Sequence, residues 1–66
     1  MQVTVNGKPM EVPDGLTIEG LLGHLQVRRE YMAVAVNREV AFKARYAETV
    51  LRDGDRVEIV HPMGGG

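Results

Sequence analysis

Apolar and polar positions alternate over the first five residues. Met1, Val3 and Val5 fall on one side, and Gln2 and Thr4 on the other. A period of two marks a strand with one buried face. Asn6-Gly7 follows, and both residue types accept the positive φ of a type I′ hairpin turn. A second strand is predicted over residues 8–12, with Met10 and Val12 apolar. Pro9 has no N–H to give to a ladder, which places this strand at a sheet edge. Pro13-Asp14-Gly15 supplies turn chemistry. The period then changes. Ile18, Leu21, Leu22 and Leu25 recur at i, i+3, i+4 and i+7, one stripe of a helix. Thr17 is a good N-cap, Leu16 before it can staple onto Leu21, and Glu19 suits the positive end of the helix dipole. Gly20 and Gly23 each cost up to about 1 kcal/mol relative to alanine and are expected to let the helix lie close to the sheet. His24 is expected to face solvent.

Beyond the helix, residues 26–31 read as a polar exit. Met32 to Val36 is an uncharged run, predicted as a strand buried on both faces or nearly so. Asn37-Arg38-Glu39 is a turn and Val40-Ala41-Phe42 a very short strand. Residues 43–51 stay ambiguous, with a helical turn placed near Tyr46-Ala47-Glu48. After the turn Arg52-Asp53-Gly54-Asp55, the segment Val57 to Val60 forms the last strand, ending at His61 before Pro62. This order predicts an α+β domain in which a mixed sheet of four to five strands packs one face on one helix. The first and last strands are expected to pair in parallel at the sheet centre.

Composition narrows the functional classes. A chain of 66 residues makes one domain, and a domain near that size buries only roughly 60% of its unfolded surface. A core so small leaves no room for a deep substrate pocket, which favours a binding or carrier module over an enzyme. The absence of cysteine excludes disulfides, thiolate metal sites and a cysteine nucleophile, and no other metal-ligand spacing is evident. Seven of the eight basic residues lie from Arg28 onward, but acidic residues are interleaved with them and the net charge is −1. That is a mixed solvated surface, not the basic stripe that nucleic acid selects; only Tyr31, Phe42 and Tyr46 could stack on bases. No apolar run approaches the roughly 20 residues of a membrane helix and no signal peptide is evident, so the expected location is cytoplasmic.

The sequence closes on Met63-Gly64-Gly65-Gly66. A glycine run is thin and conformationally free, so it can thread a channel too narrow for side chains; a frayed chain end is the plain alternative. The division expected is a domain over residues 1–62 and a flexible tail over 63–66. Residues 62–66 would reach at most about 17 Å when extended. A terminal carboxylate, with an ordinary pKa of about 3.3–3.7, is ionised and a poor electrophile. It becomes an acyl donor once a partner lets it attack the α-phosphate of ATP.

Several segments together resemble one family. They are Asn6-Gly7-Lys8 in the first hairpin, Val34-Ala35-Val36-Asn37 with Glu39, and the stretch from Lys43 to Glu48 with Leu51. The turn and strand Asp53 to Val60 and the closing Gly64-Gly65-Gly66 complete the set. The chain is similar to the ubiquitin-like sulfur carriers, and within them to the ThiS family of thiamine biosynthesis. The resemblance implies a β-grasp fold and a non-enzymatic role as co-substrate. A ThiF-like adenylyltransferase would use ATP to adenylate Gly66, a sulfur donor system would convert the adenylate to a thiocarboxylate, and a ThiG-like thiazole synthase would take the sulfur. No cofactor would be bound by the carrier itself. Gly66 would bear the sulfur, Gly64 and Gly65 would let it through, and no residue would be catalytic. Met63 and Phe42 are candidate docking anchors, Phe42 being equally suited to plugging the core. His61 reads as a strand-end residue, and Arg38, Lys43 and Arg45 as solvated. A carrier for molybdopterin synthase or for tRNA thiolation, or a modifier joined to target lysines, would end in the same tail.

Overall fold

The computed structural model describes residues 1–27 and 33–60. Five strands and one α-helix follow the order β1 (Gln2–Val5), β2 (Lys8–Glu11), α1 (Ile18–His24), β3 (Ala33–Val36), β4 (Glu39–Ala41) and β5 (Arg56–Val60), with a 3₁₀ turn at Lys43–Arg45. The sheet order is β2-β1-β5-β3-β4. The pairing of β1 with β5 is parallel, while β5 with β3, β3 with β4 and β1 with β2 are antiparallel. The last strand thus occupies the sheet centre beside the first, as the sequence predicts. Pro9 sits on the edge strand β2, opposite Thr4. The turn residues Asn6 and Gly7 both have positive φ, 50° and 84°.

Thr17 caps α1 by accepting the Gly20 N–H at 3.0 Å. The Ile18 and Glu19 N–H groups donate to the carbonyls of Thr49 and Tyr46. The helix start is therefore satisfied partly by its own cap and partly by the distant segment 43–51. Leu51 N–H donates to Leu16 O, and Thr17 bridges Val50. At the other end the Gln26 N–H bonds Gly23 O and the Val27 N–H bonds Leu22 O. These are the two bonds of a Schellman motif, with Gln26 at φ 60° where glycine is usual. Val27 then packs on the core. The first two residues of the predicted polar exit, Gln26 and Val27, thus form a structured cap, and residues 28–31 lie outside the described residues. Gly20 makes room for the Leu16 side chain, since a Cβ there would stand 2.7 Å from Leu16 Cδ1, while Gly23 meets nothing within 4 Å. Neither glycine serves the close approach to the sheet that the composition suggested.

The core lies between α1 and one sheet face: Val3, Val5, Ile18, Leu21, Leu22, Val34, Leu51, Val57 and, largest, Tyr46. Two expectations change here. Tyr46 is 1% exposed whereas Phe42 is 72% exposed, so the tyrosine fills the core and is unavailable for stacking, and Phe42 is outside. The local reason is that the 3₁₀ turn forms three residues earlier than predicted and carries Tyr46 inward under the helix start. Strand β3, in turn, buries only Val34; Ala33, Ala35 and Val36 are half-buried. One seven-residue helix covers a single face, so the alanines line the uncovered one. Tyr31, Met32, His61, Pro62 and the 62/63 domain boundary lie outside the described residues.

The Met1 ammonium donates to Val12 O at 2.8 Å and stands 3.1 Å from Asp14 Oδ1. The hydrogen bond to Asp14 raises its pKa above the ordinary 8.0, against some desolvation, with the charges of Asp14, Glu11 and Asp53 adding to the rise.

Two measurements test this packing. Tyr46→Ala should cost about 3–5 kcal/mol in urea unfolding, as for other buried aromatics, whereas Phe42→Ala should stay within about 0.5 kcal/mol; comparable losses would contradict the assignment of core and surface. Because the ammonium pKa is raised on folding, its contribution is complete below about pH 8 and disappears as pH climbs through the folded value. The thermal midpoint should therefore decline above about pH 8 in the unmodified protein, and N-terminal acetylation should remove that part of the decline.

Candidate functional site

Strand β5 carries the chain toward residues 61–66, so the way it is held determines where that segment begins. On one side it pairs with β3 through Val57, Glu58, Ile59 and Val60. On the other it pairs with β1 only through Arg56 and Val57, because β1 turns away at Asn6-Gly7. The Asn6 side chain continues where the main chain leaves off. Its Oδ1 accepts the Ile59 N–H at 2.8 Å, and its Nδ2 donates to the Ile59 carbonyl at 3.1 Å. A matching arrangement holds the start of the strand. Asn37, at φ 52° in the β3–β4 turn, accepts the Arg56 N–H on Oδ1 and donates from Nδ2 to Asp55, both at 3.0 Å.

The face of the sheet away from α1 follows from the register, since directly opposed residues share a face. Ala35 faces Val40 and Glu58, and Ala33 faces Val60. Two small side chains on β3 thus form the floor of a shallow trough, walled by Val40 on one side and Glu58 with Val60 on the other. Val40 and Val60 are 72% and 56% exposed. Around the β4 edge, Phe42 continues the apolar surface with Val40, Arg45 and Thr49. Val40, Phe42 and Val60 thus form an exposed apolar patch, a candidate interaction surface. It adjoins the end of β5.

Of the residues singled out in the sequence, Phe42 is placed on this patch; Met63, Gly64, Gly65 and Gly66 lie outside the described residues. Val40 and Val60 were missed. Their signal was the pairing partner: each faces an alanine of β3 on the side the helix does not reach.

The model of the ThiS family matches residues 3–66. This chain belongs to the ThiS family. It is 41% identical over 63 residues to the sulfur carrier protein ThiS of Bacillus subtilis, covering 94% of this chain and 96% of that one. The crystal structure of the thiamine biosynthesis protein ThiS from Geobacter metallireducens superposes with a TM-score of 0.88 at 42% identity, over 100% of both chains. The β-grasp fold is thereby shared. The whole chain is also 39% identical to part of a thiazole synthase of Paramagnetospirillum magneticum, of which it spans only 20%.

The segments that carry the ThiS resemblance fall into structural roles. Asn6-Gly7 makes the first turn and holds β5. In the Asp53-Gly54-Asp55 turn, Asp53 Oδ1 accepts the Gln2 N–H at 2.7 Å and Gly54 donates to Gln2 O, which latches the start of β5 onto β1. Among the described residues no group of three or more His, Cys, Asp or Glu side chains gathers to hold a metal. His24 is exposed at the end of α1, away from the trough. Arg38 is exposed in its turn, and Arg45 lies 3.6 Å from Glu48 on the surface. What the ThiS fold presents among the described residues is an apolar face and a strand end.

Proposed function

We propose that this chain is a sulfur carrier of thiamine biosynthesis and that its chemistry takes place on the Gly66 carboxyl group. The observation that carries the proposal is membership of the ThiS family over a match that runs through the closing glycines. The physical argument agrees with it. A small domain offering an apolar face and a strand end suits a substrate that other enzymes grip.

In the proposed sequence a carboxylate oxygen of Gly66 attacks the α-phosphorus of ATP on a ThiF-like adenylyltransferase. Pyrophosphate leaves and an acyl adenylate remains. Sulfur delivered by the donor system as hydrosulfide then attacks the acyl carbon, the bond to AMP breaks, and a thiocarboxylate and free AMP result. Thiazole synthase takes up that sulfur. The similarity of the whole chain to a segment within proteins named thiazole synthase supports this acceptor. In both encounters Gly64 and Gly65 leave the passage free of side chains, and Met63 and Phe42 serve as docking anchors, Phe42 from the patch beside the trough.

Intact-mass analysis of the protein made together with its activating enzyme should show one terminal oxygen replaced by sulfur. Removing Gly66 should abolish that change and leave the circular-dichroism spectrum as it was. Lysine-linked conjugates without a thiocarboxylate would overturn the proposal in favour of a modifier.

The face makes a separate prediction. Val40→Asp adds a charge where solvent already reaches, so it should shift unfolding by less than about 0.5 kcal/mol. The same substitution should weaken binding to thiazole synthase by tenfold or more, on the order expected for charging an apolar contact, as read by calorimetric titration. Unchanged affinity would place docking elsewhere.

A further inference from the structure

Asparagine at the first position of a type I′ turn is ordinarily explained by its tolerance of positive φ. Glycine tolerates it as well. Asn6 does something glycine cannot. The Asn6 N–H makes the last described main-chain bond from β1 to β5, to Val57 O at 2.9 Å; beyond it the chain has turned away. The Asn6 carboxamide offers one acceptor and one donor in the geometry of a peptide group, and both are used on Ile59, at 2.8 and 3.1 Å. The contact spans 53 positions of sequence. It is the last described hold on β5 from the β1 side, one residue before Val60 and the segment 61–66. With β3 paired on the other flank, the strand is held on both sides at this level.

We propose that Asn6 is a positioning residue for the C-terminal arm. Its carboxamide stands in for a missing strand residue and fixes the end of β5, so that the arm starts from a fixed point and direction. The role rests on the sulfur-carrier reading above. When the clamp is absent, the last turn of strand backbone frays on one flank. The domain stays folded and docks as before, but the terminal carboxylate spends less time aligned with the α-phosphate. Positioning of reacting groups governs the chemical step more than the binding step.

Two variants separate this role from turn formation. Asn6→Gly keeps the backbone freedom that the turn requires and deletes both hydrogen bonds. Asn6→Asp also accepts positive φ and keeps the acceptor for the Ile59 N–H, but it cannot donate to the Ile59 carbonyl. In the full-length protein, amide hydrogen exchange at Ile59 should accelerate roughly tenfold in Asn6→Gly, as for loss of a hydrogen bond, while exchange in α1 stays near wild type. With a ThiF-like adenylyltransferase and ATP, pyrophosphate release should show kcat lowered by roughly five- to tenfold and KM within about twofold. Asn6→Asp should recover a substantial part of kcat.

Equal Ile59 exchange in wild type and Asn6→Gly overturns the clamp, whatever the enzyme does. Faster exchange with unchanged kcat overturns the positioning role and leaves a purely structural bond. A wild-type chain that releases no pyrophosphate overturns the sulfur-carrier reading and the positioning role with it, while the exchange result still decides whether the clamp exists.

Discussion

The double pairing of β5 is the constraint from which the remaining architecture follows. A strand with neighbours on both sides cannot slip by one residue without turning Val57 out of the core and Glu58 into it. Its parallel partner is β1, the far end of the chain, and parallel neighbours need a crossover connection. Strand β2, α1 and the β3–β4 hairpin all lie between the two in sequence. Once β5 is central, Pro9 is confined to the outer strand β2, where its missing N–H costs nothing. The short β4 closes the opposite edge. The β5 end is then fixed relative to the whole sheet.

A single short helix accounts for the second main feature. The stripe of Ile18, Leu21 and Leu22 meets Val3, Val5, Val34 and Val57, and nothing among the described residues covers the other face. The residues there divide by position. Toward β2 they are polar or turn-forming, with Gln2, Thr4, Pro9 and Glu11; toward β4 they are small or apolar, with Ala33, Ala35, Val40 and Val60. The uncovered face is thus apolar only on the half nearest the strand end. Under the proposed function, that asymmetry would couple docking to delivery in one surface. A partner seated on the trough has the beginning of the C-terminal segment beside it.

The segment between β4 and β5 completes the fold without adding a strand. Its carbonyls at Tyr46 and Thr49 receive the first N–H groups of α1, and the Tyr46 ring enters the core beneath. The helix start is thereby tied to residues that lie near the opposite end of the sequence. A domain of this size has little apolar surface to spare, so one buried aromatic and a fully satisfied helix end carry a large share of its stability.

Much of the fold was legible in the sequence, because the signals involved are local. Alternation in residues 1–5, the Asn-Gly turn, the Thr17 cap and the helical stripe each depend on neighbours within a few positions, and each is found where it was read. The closing glycines stood out by their conformational freedom rather than by any periodicity, and the family resemblance gave them their proposed role. Other features depend on what the chain meets far away, and only the tertiary structure decided them. Phe42 was as plausible a core plug as a surface anchor until the 3₁₀ turn directed Tyr46 inward instead. The alanine-rich strand read as buried twice, because one-dimensional hydrophobicity does not record that a single helix covers one face. Asn6 was read as a turn former, since its bonds to Ile59 cross nearly the whole sequence and exist only once β1 and β5 lie side by side. The sequence by itself determined the elements and the end that carries the proposed chemistry. Long-range pairing, which no local pattern encodes, decided which surface surrounds that end and what holds it in place.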